Sequence, residues 1–217
     1  QYVLDELSEK LVIRRKTEDA QKAMWVLLYN HDYPPLEWDN GQPRWKPVDS
    51  DGAMWSAAHK QLTFSGASGE SATVRFDGKS IVDHNAYNID VPARSWNAVS
   101  DLRFDAVLHR RAGDGTLEIT LPKHENDFTM TLYANGRVTL TRTPVGGGKP
   151  VLLSETLVAP FEPDRPVDIA FQNVDYRLAV EIDGREVLAT TPEQYAPDVK
   201  ALRLRRPRPS RKPWIKA

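Results

Sequence analysis

Apolar and polar positions alternate with a period of two through most of the chain. Leu102, Phe104, Ala106 and Leu108 fall on one side of a strand, with Asp101, Arg103, Asp105 and His109 opposite or at its end. Leu117, Ile119 and Leu121 repeat the pattern, as do Phe128, Met130 and Leu132, then Val138 and Leu140. Val167, Ile169 and Phe171, then Leu178, Val180 and Ile182, then Leu202 and Leu204 complete the series. Successive strand side chains point to opposite faces, so each run predicts a strand with one face buried. Asp77-Gly78, Asp114-Gly115, Asn135-Gly136 and Asp183-Gly184 supply turn signals between the strands. Roughly ten or more short strands with no helix between them predict an antiparallel β-sandwich over residues 61–206. The Pro-rich segment from Pro160 to Pro166 suits a crossing between its sheets.

The first 33 residues follow a different pattern. Leu11-Val12-Ile13 is a short apolar run, read as a strand. Thr17 then offers a hydroxyl to cap a helix, with Glu18 and Asp19 in the first turn. Ala20, Ala23, Met24, Leu27 and Leu28 recur at helical spacing, and the helix is expected to stop before Pro34-Pro35. Residues 34–60 form a connection with Pro34, Pro35, Pro43 and Pro47, and carry Trp38, Trp45 and Trp55. Two readings of those tryptophans stand: they pack the loop onto the body, or they form an exposed aromatic platform. Residues 207–217 read as a basic, Pro-rich tail.

Composition bounds the chemistry. The chain has 217 residues, 40% hydrophobic and 27% charged, which is globular composition rather than disorder. It has no cysteine, which excludes disulfides and thiolate metal sites. No apolar run is long enough to span a bilayer, and the N-terminus lacks the basic and apolar regions of a signal peptide. The chain starts at Gln1, as expected of a processed product or a piece of a larger polypeptide. Its net charge of −1 is a cancellation. Lys200, Arg203, Arg205, Arg206, Arg208, Arg211, Lys212 and Lys216 lie in the last 19 residues with no acid, leaving the rest at −9. The alternation of Leu202 and Leu204 with Arg203 and Arg205 reads as a last strand with a cationic outer face, not as a nucleic-acid site.

Candidate chemistry is sparse. Glu181-Ile182-Asp183-Gly184-Arg185-Glu186 contains an E-I-D-x-x-E spacing. Some retaining glycosidases of the jelly-roll fold use such a cluster, with two carboxylates about 5 Å apart as nucleophile and acid/base. The competing reading makes Asp183-Gly184 a hairpin turn that carries Glu186 onto the returning strand. None of His31, His59, His84, His109 and His124 pairs at i, i+2 or i, i+4, and Asp83-His84-Asn85 reads as a polar loop, so no metal or other cofactor is expected. Gly146-Gly147-Gly148 lacks the helix start of a phosphate site, and no G-x-S-x-G marks Ser56, Ser65 or Ser95 as a nucleophile.

Several segments in order resemble the extra, lectin-like module of large bacterial type I signal peptidases. They are Arg14-Arg15-Lys16, Gln21-Lys22-Ala23-Met24-Trp25 and Tyr29-Asn30-His31-Asp32-Tyr33-Pro34. Ile81-Val82-Asp83-His84-Asn85-Ala86-Tyr87-Asn88 follows, then Phe171-Gln172-Asn173-Val174-Asp175-Tyr176-Arg177-Leu178 with Asp183-Gly184, then Ala201 to Arg206. The resemblance covers about residues 10 to 206. It implies a concanavalin/laminin-G-like sandwich on the periplasmic side of the cytoplasmic membrane, attached to a serine–lysine endopeptidase. The peptidase signature itself is missing: there is no Ser-Met and no Lys-Arg pair, and Gly113-Asp114-Gly115 reads as a hairpin turn. No catalytic residue is carried over.

The expectation is therefore an all-β, concanavalin-like antiparallel sandwich (jelly roll) with a short N-terminal strand-helix segment. Its expected role is a non-catalytic accessory or binding module. The partners are a protease domain or larger assembly, with carbohydrate as a ligand, no nucleic acid, and the basic tail close to a membrane surface. The alternative is a carbohydrate-binding module or glycoside hydrolase of the same fold. Trp38, Trp45, Trp55, Trp96 and Tyr87 would then stack on sugar rings, with Glu181, Asp183 and Glu186 as the catalytic carboxylates.

Overall fold

Most of the alternating runs become strands that pair with a chain neighbour, and in four of these pairs a turn of two or three residues leaves no other partner within reach. The structure is a computed structural model. It describes residues 15–34, 42–48, 54–58, 60–77, 81–83, 97–198 and 211–217. Its described elements begin with a helix α1 (Glu18–Met24), then β1 (Trp45–Pro47), β2 (Trp55–Ser56), β3 (Thr63–Phe64), β4 (Thr73–Phe76) and β5 (Leu102–Leu108). β6 (Thr116–Lys123), β7 (Asn126–Tyr133), β8 (Arg137–Pro144) and β9 (Val151–Leu157) follow as an antiparallel meander. β10 (Val167–Val174), β11 (Arg177–Ile182), β12 (Arg185–Ala189) and β13 (Trp214–Lys216) complete the series.

The strands form a seven-stranded sheet, ordered β1-β4-β13-β6-β7-β8-β9, and a four-stranded sheet, ordered β12-β11-β10-β5, with β2 and β3 as a separate pair. This is an all-β antiparallel sandwich of the jelly-roll, concanavalin-like class. Phe128, Met130, Val138 and Leu140 of the large sheet meet Phe171, Leu178 and Val180 of the small one in a single core. Each such side chain contributes about 1.5–3 kcal/mol by leaving water. The segment from Pro160 to Pro166 does cross between sheets, since β9 and β10 lie in different ones.

Turn chemistry fits the hairpins. Asp183 and Gly184 both have positive φ, 48° and 73°, and join β11 to β12 by a two-residue turn. Asp175 and Tyr176, at 47° and 55°, do the same between β10 and β11. Positive φ at both positions matches the twist of the flanking strands.

Four expectations need correction. The helix stops at Met24 rather than continuing to Leu28. Thr17 caps it as expected, accepting from the Ala20 N–H at 3.3 Å, but the helix buries no residue. Leu28 and Tyr29 instead pack on the core, with the Tyr29 ring 5.5 Å from that of Phe76, and that burial outweighs about one more turn of surface helix. Second, Asp114-Gly115 is not a hairpin turn: β5 and β6 belong to different sheets, so residues 109–115 cross the sandwich. Third, the Pro-rich connection contributes β1 to the large sheet. Fourth, the end of the chain is not a tail. β13 lies between β4 and β6, with Ile215 opposite both Val74 and Ile119. Ala217 and Ala72 exchange two backbone hydrogen bonds beside it, at 2.9 and 3.2 Å. The expected strands at Leu11-Val12-Ile13 and at Leu202 and Leu204 lie outside the described residues.

Candidate functional site

The residues singled out for sugar stacking separate at once. Trp45 and Trp55 are each 6% exposed and belong to the core. Trp45 packs edge-on against Phe76 and Phe104, at 5.5 and 6.0 Å between ring centroids. Their rings are covered by protein, so they anchor the Pro-rich connection and offer no platform. Trp38, Trp96 and Tyr87 lie outside the described residues.

The carboxylates of the E-I-D-x-x-E segment lie on the four-stranded sheet and its hairpin. Asp183 sits in the turn, where its carboxylate accepts from the Asp168 N–H at 3.1 Å. The register places Glu181 opposite Glu186, after a bulge between Val180 and Glu181. Each is engaged by its own arginine. Arg103 holds Glu181 in a two-pronged ion pair at 2.8 and 2.9 Å, and also binds Gln172 and Asp105. Arg177 binds Glu186 at 2.5 Å. The Arg103 hydrogen bonds hold the Glu181 carboxyl below its usual range against the opposing effect of partial burial. A carboxyl held ionised in this way does not suit a general acid, and both carboxylates are occupied by arginines, so the structure shows a cross-strand ion network at this hairpin.

A second polar cluster ties one end of the sandwich together. Lys123, 3% exposed, is the last residue of β6. Its Nζ lies 2.5 Å from an Asp101 carboxylate oxygen and 4.3 Å from the Tyr176 ring centroid. Burial pushes the Lys123 amine below its usual value, and the Asp101 carboxylate opposes that shift. Asp175 accepts from the Lys16 N–H at 2.9 Å and from Lys16 Nζ at 2.6 Å. Burial raises the Asp175 carboxyl, but these Lys16 contacts and the charge of Lys123 leave it below the usual value. The Tyr176 hydroxyl meets His124 Nε2 at 3.0 Å, joining the hairpin tips of the two sheets. Arg15 donates to the Tyr176 carbonyl at 2.8 Å, and Arg211 to that of His124 at 3.1 Å. The cluster thus latches both flanking segments to the body. Every charge in it has a protein partner, so its chemistry is structural.

The face of the seven-stranded sheet turned away from the core is different. Cross-strand register sets Lys46, Arg75, Trp214, Thr120, Thr129 and Thr141 in one row across β1, β4, β13, β6, β7 and β8. The next row of that face runs through Thr73, Lys216, Glu118, Thr131 and Thr139. Thr120, Thr131 and Thr139 are buried, and the Thr120 hydroxyl is bonded to that of Thr129 at 2.8 Å. The open part of the face is therefore the β1–β4–β13 end. There Lys46 and Arg75 are exposed and Trp214 is half-buried. The Arg75 guanidinium carbon lies 5.7 Å from the indole centroid, in cation–π range, which orders the ring. The result is a preformed aromatic surface bordered by hydrogen-bond donors.

Sequence reasoning missed Trp214. The signal was present, since Trp214-Ile215-Lys216 alternates outward, inward, outward. Three residues after Pro213 are too few for a periodicity argument. Among the described residues, no three His, Asp or Glu side chains converge as metal ligands do, and no helix is long and apolar enough to cross a membrane.

No family model and no curated protein sequence matches the chain. Among solved structures it is similar to the carbohydrate-binding module CBM66 from Bacillus subtilis, with a TM-score of 0.49, 10% identity, and coverage of 80% of this chain and 87% of that one. It is similar to the Crh5 transglycosylase in complex with NAG, with a TM-score of 0.42, 11% identity, and coverage of 80% and 67%. It is also similar to the catalytic domain of an endo-1,3-beta-glucanase (laminarinase) from Thermotoga petrophila RKU-1, with a TM-score of 0.37, 11% identity, and coverage of 67% and 56%. Likeness at this level says nothing of what this chain binds.

Proposed function

We propose that this protein is a carbohydrate-binding β-sandwich module that takes its ligand on the outer face of the seven-stranded sheet, at Trp214. The observation that carries the reading is the placement of an ordered, half-buried indole among Arg75, Lys46 and Lys216 on a sheet face. A sugar ring has an apolar C–H face and a polar rim, and that pairing of flat aromatic surface with surrounding donors is complementary to it. An interior strand of a rigid sheet also holds the ring with little ordering cost on binding.

Affinity electrophoresis through gels containing soluble polysaccharides tests this. Trp214→Ala is expected to lose at least about tenfold in affinity for whichever polymer retards the wild type. Unchanged retardation by Trp214→Ala, with the urea midpoint preserved, would remove the site. The finer reading, an accessory module of a signal peptidase outside the cytoplasmic membrane, has the ordered sequence motifs as its support. A peptidase domain with a Ser/Lys pair continuous with this chain is its test.

A further inference from the structure

We infer that the sugar taken at Trp214 is anionic, a polysaccharide bearing carboxylate or sulfate groups. The inference rests on the reading of Trp214 as a sugar platform and adds the charge of the ligand. Three cations share the face around the indole: Lys46 and Arg75 in its own row, and Lys216 two residues along the same strand. None of the three makes an ion pair among the described residues, although cations close by do. Arg211 is paired with Asp127, and Lys212 with Asp77 at 3.5 Å. Glu118, opposite Lys216 on β6, is the one carboxylate in those two rows at this end of the sheet, and it forms no ion pair with it. Strands lie about 4.8 Å apart, so Arg75 and Lys46 stand roughly one and two strand spacings from the indole. A ring stacked on Trp214 thus brings its own or its neighbour's charged substituent to these side chains.

Outside its last 19 residues the chain carries a net charge of −9. That opposes attraction to polyanions in general, so the local cations matter only for a ligand also held by the ring. A nucleic acid, which would engage cations without needing this platform, is the disfavoured occupant.

The test uses matched pairs: polygalacturonate against its methyl ester, and dextran sulfate against dextran. Wild-type protein at low ionic strength is expected to bind one charged member about tenfold tighter than its neutral match, with the gap narrowing as salt is added. Whichever pair shows the gap separates carboxylate from sulfate. Lys46→Gln/Lys216→Gln, which keeps the Arg75–Trp214 contact, should cut binding of that charged polymer by roughly five- to tenfold and close most of the gap to its neutral match. Equal affinity within both pairs overturns the inference, as does a gap that survives in the double variant. Tighter binding of single-stranded DNA than of either charged polysaccharide also overturns it. Trp214→Ala distinguishes the levels: binding that needs Trp214 but ignores charge sinks only this inference. Binding indifferent to Trp214, or no binding of any of the four polymers, sinks the carbohydrate reading and this inference with it.

Discussion

The Lys123–Asp101 pair gives a quantitative test of how the sandwich end is held. Asp101→Asn keeps the shape and the acceptor for the Asp175 N–H, which now bonds Asp101 at 3.2 Å. It removes the carboxylate 2.5 Å from a buried ammonium. Stripping one partner from a fully buried pair costs about 3–5 kcal/mol. Asp101 is 38% exposed and Asp175 still opposes the Lys123 charge, so the expected cost is smaller, about 2 kcal/mol. Lys123→Met removes the buried charge with an apolar chain of similar length and should fall within about 1 kcal/mol of wild type. In that background Asp101→Asn should cost almost nothing, giving a coupling of about 2 kcal/mol in a double-mutant cycle. Urea unfolding reads this as a midpoint shift of about 1 M. The pH dependence supplies an independent check. Burial lowers the folded Lys123 amine below its unfolded value, so in the alkaline window between the two the folded state sheds its proton first. Stability contributed by this group must rise with pH there, and Lys123→Met must lack that rise. Additive single-variant costs, with no coupling, would refute the account of a buried charge held by Asp101.

Other parts of the structure make separate predictions. Gly184→Ala meets only the strain of positive φ and should cost about 1–2 kcal/mol. Gly136→Ala should cost at least about twice that, because its methyl would fall 2.3 Å from the Val158 carbonyl oxygen; equal urea midpoints for the two variants would contradict the close approach. Ile215→Ala should cost about 2–4 kcal/mol if β13 is a central strand, and a loss under about 0.5 kcal/mol would show that the chain end does not pack there. Glu181→Gln should cost under about 1 kcal/mol at neutral pH, because the pair with Arg103 is partly screened. The folded carboxyl lies below its unfolded value, so that difference should vanish as pH falls through its folded titration. A difference that persists in acid would contradict it.

The fold was legible where the local pattern was long. Runs such as Phe128-Met130-Leu132 in β7 and Val167-Ile169-Phe171 in β10 lie in strands of eight residues, closed by turn residues with the right backbone freedom. The hairpin at Asp183-Gly184 was equally readable. What failed depended on which sheet a strand joins. Asp114-Gly115 looks like a hairpin signal, yet the strands on either side pair elsewhere, and nothing local distinguishes the two cases. The site was less legible than the fold. Four tryptophans were singled out by their surroundings in sequence; two of them are core anchors, and the indole on the open face is one that was passed over.

The sequence by itself determined the all-β class, the strands β5–β8, β10 and β11 with their inward faces, and the absence of thiol chemistry. These follow from periodicity and composition, which are local properties. Only the tertiary structure decided that the basic chain end becomes a central strand, and that Trp214 stands beside Arg75 and Lys46. Trp214 lies more than a hundred positions from either of them, and their proximity depends on sheet register. Register is fixed by burying Ile215 between Val74 and Ile119, and a slip of one residue would turn Trp214 into the core.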